Sequence, residues 1–407
     1  METLQPTNSL NILMVLLIVA SSVGFVVRFI KMPYPIALVI AGLAISAFNL
    51  LPHIKMTPEI IMVIYLPALL FEASWNIDIK QLFASLKTSI YLATIGVLFS
   101  IFFCGWMVGT FTAFNFMQAL LFGAMISATD PITVMALFRN SKVDPGLVTL
   151  LEAESLFNDG TAVVCYQMLL AMIISQVVPS PGTVILNFIT TVIGGSAVGL
   201  LVGFLGSRAI KYFDDHLMET TLTVIVAYGS YLVANHLQVS AVLATICAGI
   251  VVGNYGSRTA MNEKTRLAVD AFWEYAAFIV NSIVFLLIGL QIPLQLLAQN
   301  ALLITVGLGA VFLARIVIIY VPGPLLNSRN FSVPLNYRHI LFAGGMRGSL
   351  SMALALSLPV NLPGRETLVV LTFGVVLLSL LIPGVFFDAI MKNLLIESQS
   401  KSEGQTA

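Results

Sequence analysis

Charge is what this 407-residue chain has least of. Only 9% of its residues are Asp, Glu, Lys or Arg, against about 25% in soluble domains. That excludes a soluble fold held by one anchor. With 58% hydrophobic residues and a mean hydropathy of +0.99, the chain reads as a polytopic membrane protein. The 19 basic and 19 acidic residues cancel, so nothing points to a nucleic-acid or acidic-surface partner. Cysteine is scarce: Cys104, Cys165 and Cys247 each lie inside an apolar run with no pairing pattern, where a thiol acts as a small hydrophobe. The four histidines, His53, His216, His236 and His339, fall near loops and read as solvated or capping residues. There is no low-complexity tract and no soluble regulatory domain. Met1 to Leu10 lacks a basic n-region, and the first apolar run is too long for a signal h-region, so it is read as a mature helix.

What is there is apolar segments. Pro, Gly and charge clusters cut the chain into thirteen: 9–30, 34–51, 57–75, 87–112, 115–138, 146–176, 182–212, 218–236, 239–255, 263–290, 296–321, 333–358 and 364–392. Most reach the ~20 residues a bilayer crossing needs. With the N-terminus outside, one face receives fifteen basic residues and the other only Lys55 and Arg365. The positive-inside rule makes the first face cytoplasmic, with the C-terminus inside and residues 396–407 as a short polar cytoplasmic tail. Residues 1–395 then form one transmembrane unit. An odd count fits two inverted six-helix repeats joined by the seventh helix, and the best pointer to a transporter site is a pair of broken helices at matching positions. Segment 5 breaks at Ala128-Thr129-Asp130-Pro131; segment 12, its counterpart, breaks at Ala343-Gly344-Gly345-Met346-Arg347-Gly348. Proline removes a backbone donor and glycine loosens the helix, so each break frees carbonyls and half-helix ends at membrane depth.

Between the breaks lies the most polar part of the chain. Segment 6 carries Glu154, Ser155, Asn158 and Asp159 within two turns, on one stripe of the helix. A charge at membrane depth costs on the order of 3 kcal/mol on insertion scales unless it faces protein or water. Carboxylate, hydroxyl and amide oxygens are the donors a hard monovalent cation takes after losing water, and the stripe has no His or Cys for zinc or copper. Burial disfavours the charged form of a carboxyl. Asp159 can therefore hold a proton or a cation, but not both, and that competition alone gives exchange if access alternates. Asp130 faces the same region from the broken helix, and Thr129 can offer its main-chain carbonyl. Glu154 needs a partner; Arg347, at the opposed break, is the first choice, and Arg315 is the alternative.

Five stretches carry a resemblance: LPALLFEASWNIDI near 66–79, ATDPITVMALF at 128–138, ESLFNDGTAVV at 154–164, FWEYAAFIVNSIVFLLIG at 272–289 and GGMRGSLSMALALSLP at 344–359. They resemble the sodium/proton antiporters of the first monovalent cation–proton antiporter family, the NhaP and NHE type. The resemblance implies an all-α fold of 13 transmembrane helices with crossed broken helices. It implies a homodimer, with a transport core at about 57–176 and 296–392 and a dimerisation part at about 9–51 and 182–290, and Na+/H+ exchange by elevator-like movement. It puts Na+ at Asp159, Asp130, Ser155 and the Thr129 carbonyl, with Glu154 nearby, and pairs Glu154 with Arg347. The Asn158-Asp159 pair is typical of its electroneutral one-for-one members. No cofactor is implied, and pH homeostasis at the cell membrane is the expected setting.

Rival readings are an antiporter of the same fold preferring K+ or Li+, a cation channel, and an intramembrane aspartyl protease built on Asp130 and Asp159. No filter loop is visible, and the basic and amide neighbours favour ion binding over a proton-sharing dyad. Three further expectations stand. Gly195, Gly199 and Gly203 in segment 7 serve close helix packing. Trp273 suits an interfacial aromatic belt, with Asp270 and Glu274 solvated. Glu72, Trp75 and Asp78 are interfacial or funnel-lining.

Overall fold

The computed structural model describes residues 6–30, 32–48, 61–131, 134–135, 143–291, 294–322 and 333–381. Each of the thirteen apolar segments carries helix there. The helices are α1 (Pro6–Val27), α2 (Tyr34–Ala47), α3 (Leu66–Trp75), α4 (Ile79–Tyr91), α5 (Val97–Phe111), α6 (Phe116–Ser127), α7 (Pro145–Ser175), α8 (Pro181–Ile210), α9 (His216–His236), α10 (Ala241–Val251), α11 (Glu263–Gln291), α12 (Leu294–Gln299), α13 (Ala301–Tyr320), α14 (Leu335–Ala343), α15 (Ser349–Leu356) and α16 (365–381). The proposed tail, 396–407, and the basic residues Lys31, Lys55, Arg139, Lys142, Arg329, Lys392 and Lys401 lie outside the described residues.

One boundary differs from the sequence expectation. Segment 4 starts at Ile79, not 87, and runs through a π turn at Leu92–Gly96 into a single 33-residue span to Phe111. The signal is local: the Asp78 side chain accepts from the N–H groups of Lys80 and Gln81 and caps the helix. Lys80 and Lys87 make this first stretch look like a loop by hydropathy, although its buried stripe of Leu82, Ser85 and Ser89 is helical.

The helices sort into two packed groups. In one, α10 is wrapped by α8, α9 and α3, while α11 packs on α1, α2, α3 and α9. In the other, α5 packs on α6 and α13, and α7 on α4 and α6, with α15 against α6. Helix α3 therefore sits with α10 and α11. Small residues explain the attachment. A Cβ on Gly249 would overlap Ser74, and one on Gly253 would overlap the Trp75 backbone. The Phe71 and Trp273 rings lie 4.7 Å apart. Trp273 is thus no belt residue: it is buried and donates its indole N–H to Thr223 at 3.0 Å. Gly195, Gly199 and Gly203 behave as expected, pressing α8 onto the backbone of Ser240, Ala244 and Ala248.

Candidate cation site at the crossed helix breaks

The two breaks meet. Helix α6 ends at Ser127, and α14 and α15 are separated by the non-helical residues Gly344 to Gly348. The two non-helical strands touch through one backbone hydrogen bond, from the Asp130 N–H to the Met346 carbonyl at 2.8 Å. Each break also carries the charge that the other needs. The Arg347 guanidinium donates to the carbonyls of Ser127 at 2.8 Å and Ala128 at 3.3 Å, the negative end of α6. The Asp130 carboxyl lies against Gly348, the residue before the first turn of α15, where helix amides favour an anion. Only glycine permits this approach, since a Cβ at 348 would overlap the carboxyl itself. Gly345 plays the same part for Arg315, whose Nε would be 2.6 Å from an added Cβ.

Helix α7 runs past the crossing for 31 residues, started by Asp144 capping the Gly146 N–H and ended by Gln176 in the left-handed region. Its polar stripe splits into two edges. On one edge, Ser155 donates its hydroxyl to the Thr129 carbonyl at 2.6 Å, which turns the lone pairs of the Ser155 oxygen away from that bond. Asp159, one turn on, has its Oδ1 out of solvent with no hydrogen-bond partner. Asp130 is close enough to repel its charge. Among the described residues, no basic side chain pairs with Asp159.

The other edge faces the arginines. Glu154 pairs with Arg315, not with Arg347: Arg315 reaches both carboxylate oxygens, at 3.0 Å for Oε2, and also donates to the Leu341 carbonyl at 2.6 Å. The expected Glu154–Arg347 pair is absent because the guanidinium of Arg347 is spent on the α6 carbonyls, while its backbone N–H donates to Ser379 at 3.2 Å. Asn158 donates to the Thr129 hydroxyl at 3.1 Å and lines a small cavity of mixed character with Ser100, Val97, Ile318, Arg315 and Arg347. The structure thus brings Asp159, Ser155, Thr129 and Asp130 together, and turns Glu154 and Asn158 toward the arginines.

Sequence reasoning passed over several partners. Leu341, Met346 and Ser379 act through backbone or hydroxyl groups that carry no pattern. Glu152 did leave a signal: seven residues before Asp159, it shares that residue's face of α7, two turns nearer the basic-rich side. It is half-buried and within electrostatic range of Glu72 on α3.

Chemically, the first edge is a set of hard oxygens around one carboxylate that has no cation of its own. Such a set takes a small monovalent cation or a proton.

Comparison with known proteins places the chain by sequence and by fold. The family described as "Sodium/hydrogen exchanger, transmembrane" matches residues 14–393. The Na(+)/H(+) antiporter ApNhaP of Aphanothece halophytica is 41% identical over 90% of this chain and 70% of its own length. The Na(+)/H(+) antiporter NhaP of Pseudomonas aeruginosa is 36% identical over 85% of this chain and 84% of its own. Among solved structures, the sodium proton antiporter MjNhaP1 of Methanocaldococcus jannaschii superposes with a TM-score of 0.76 at 22% identity, covering 94% of this chain and all of that one.

Proposed function

Because the chain belongs to the sodium/hydrogen exchanger family, a family of transporters and not enzymes, we propose that it exchanges Na+, and Li+ where offered, for H+ across the cell membrane by alternating access. The observation that carries the reading is Asp159: a carboxylate without a basic partner, set among the Ser155 hydroxyl, the Thr129 carbonyl and Asp130. Na+ takes those four oxygens, and the proton takes Asp159 when the cation leaves. Glu154 and Asn158 support the site from behind and do not touch the ion.

The movement follows from the two packed groups. The group of α4–α7 and α13–α15 carries the crossing and shifts against the group of α1–α3 and α8–α11. The latter forms a homodimer, an arrangement favoured by the largely exposed apolar face of α8. The charge bias of the loops puts the N-terminus outside and the C-terminus in the cytoplasm.

Proteoliposomes loaded with a pH-sensitive dye test the reading. Na+ and Li+ are expected to dissipate an imposed proton gradient, and Asp159→Asn is expected to abolish this in a folded, monodisperse sample, since an amide cannot trade a proton for a cation. Wild-type turnover in Asp159→Asn refutes the assignment. A response to K+ alone makes the protein a K+/H+ antiporter of the same fold.

A further inference from the structure

Among the described residues the chain passes between the two packed groups three times: at Asn76–Asp78, at residues 176–180, and between Gln291 and Ala301. By the charge bias of the loops, the last two crossings lie on the outer side. Only Asn76–Asp78, between α3 and α4, lies on the basic-rich side. It is three residues long, and it is held in a way the proposed exchange chemistry does not require.

The holder is Asn254, in the π turn Val252–Gly256 that follows α10. Its amide nitrogen donates to the Ile77 carbonyl at 2.8 Å and to the Ile250 carbonyl at 3.0 Å, and its oxygen accepts from the Ile79 N–H at 3.0 Å. A buried side chain thus replaces the backbone partners that the turn lacks. On either side are two more ties to the same group. Trp75 donates its indole N–H to Asp270 on α11 at 2.7 Å, and Asp78 meets Arg258 at 3.4 Å. Every one of these ties runs to the stretch from the π turn to Arg258, just past it, or to α11. Helix α4, which begins one residue after the turn, packs instead on α7.

We propose that Asn254, with Asp270, is a positioning residue for exchange: it fixes the Asn76–Asp78 turn to the α8–α11 group and makes that turn the pivot on which the ion-carrying group swings. A hinge absorbs backbone rotation in a few loop residues, and it works only if one side is held. The inference rests on the alternating-access reading above.

Two cross-links separate the two ideas, each made with a short thiol-reactive linker after Cys104, Cys165 and Cys247 are replaced by alanine. The pair Asp78→Cys with Arg258→Cys ties the turn to the group that already holds it, so exchange is expected to survive. The pair Leu287→Cys with Met352→Cys spans α11 and α15, which line a common seam, so exchange is expected to stop. Loss of exchange on linking 78 to 258 overturns the pivot. Exchange that survives linking 287 to 352 overturns the movement itself, and the pivot with it. Asn254→Ala is expected to lower maximal turnover several-fold while leaving half-saturation by Na+ and the Na+-induced rise in Tm unchanged, because the ion site sits on the other group. Asp270→Asn, which keeps an acceptor for Trp75, is expected to retain turnover where Asp270→Ala loses it. Unchanged turnover in Asn254→Ala refutes the positioning role.

Discussion

Glu154 and Arg315 hold each other with side chains that are only 2% and 6% exposed. Two charges so far from water are stable because the guanidinium satisfies both carboxylate oxygens and a carbonyl at once. Removing one partner leaves the other uncompensated, at a cost of ~3–5 kcal/mol. Glu154→Gln and Arg315→Met are therefore each expected to lower Tm sharply, and the double variant is expected to lose less than the sum. Single losses that simply add would mean the two side chains are not coupled. Arg347→Ala should add to either one, since it caps α6 rather than Glu154. At this scale the sequence was informative about which side chains matter and silent about who meets whom. Three carboxyls and two arginines at membrane depth are visible in the residues. The choice between Arg315 and Arg347 is made by the direction of a long side chain. Arg347 looked nearer because it lies in the break, yet it turns back onto the last carbonyls of the opposite half-helix.

Elements here are started by side chains more than by hydropathy. Asp78, Asn115, Asp144, Ser180, Asp215 and Ser240 all cap helices with an acceptor oxygen. Both breaks could be found because proline and glycine interrupt an apolar run in only a few ways. The early start of α4 was missed because a polar first turn at the basic-rich edge reads as loop unless the cap at Asp78 is weighed. The packing of α3 on α10 was not legible because it depends on Gly249 and Gly253, in a distant stretch of the chain. The caps also make a pH prediction. The Asp215 carboxyl is held below the usual range by accepting from the N–H of Met218 and then of Leu217. A depressed value in the folded state means that the ionised form stabilises the fold. That stability is complete above the ordinary Asp value of about 3.9 and is lost as pH falls through the folded-state value. Asp215→Ala should therefore lower Tm at neutral pH by an amount that shrinks toward zero below about pH 4. A difference independent of pH would show that the cap is not charge-assisted.

For the whole molecule, the decisive quantity is the charge that crosses with the site. In the proposed cycle Asp159 alternates between protonated and cation-bound forms, and both carry the same net charge. Asn158 is neutral and supplies no second exchangeable proton. Glu154 is neutralised by Arg315 through contacts within the group that carries the crossing. Asp130 rests against the first turn of α15 and Arg347 against the last carbonyls of α6, so the proposed cycle expects each charge to be held by the opposing half-helix end and to stay constant. On that reading the loaded group carries equal charge in both directions, and a membrane potential does no work on it. One Na+ is expected to exchange for one H+, driven equally by either gradient. The argument turns on Asp130: were it protonated on each return, two protons would move per cation. Proteoliposomes clamped with valinomycin and K+ decide between the two, once K+ transport by the protein itself has been measured. An electroneutral cycle predicts that transport reverses where the Na+ and H+ ratios are equal, at any clamped potential. Na+ uptake driven by potential alone, or a reversal point that moves with it, would show that Asp130 also titrates and that the half-helix end does not hold it ionised.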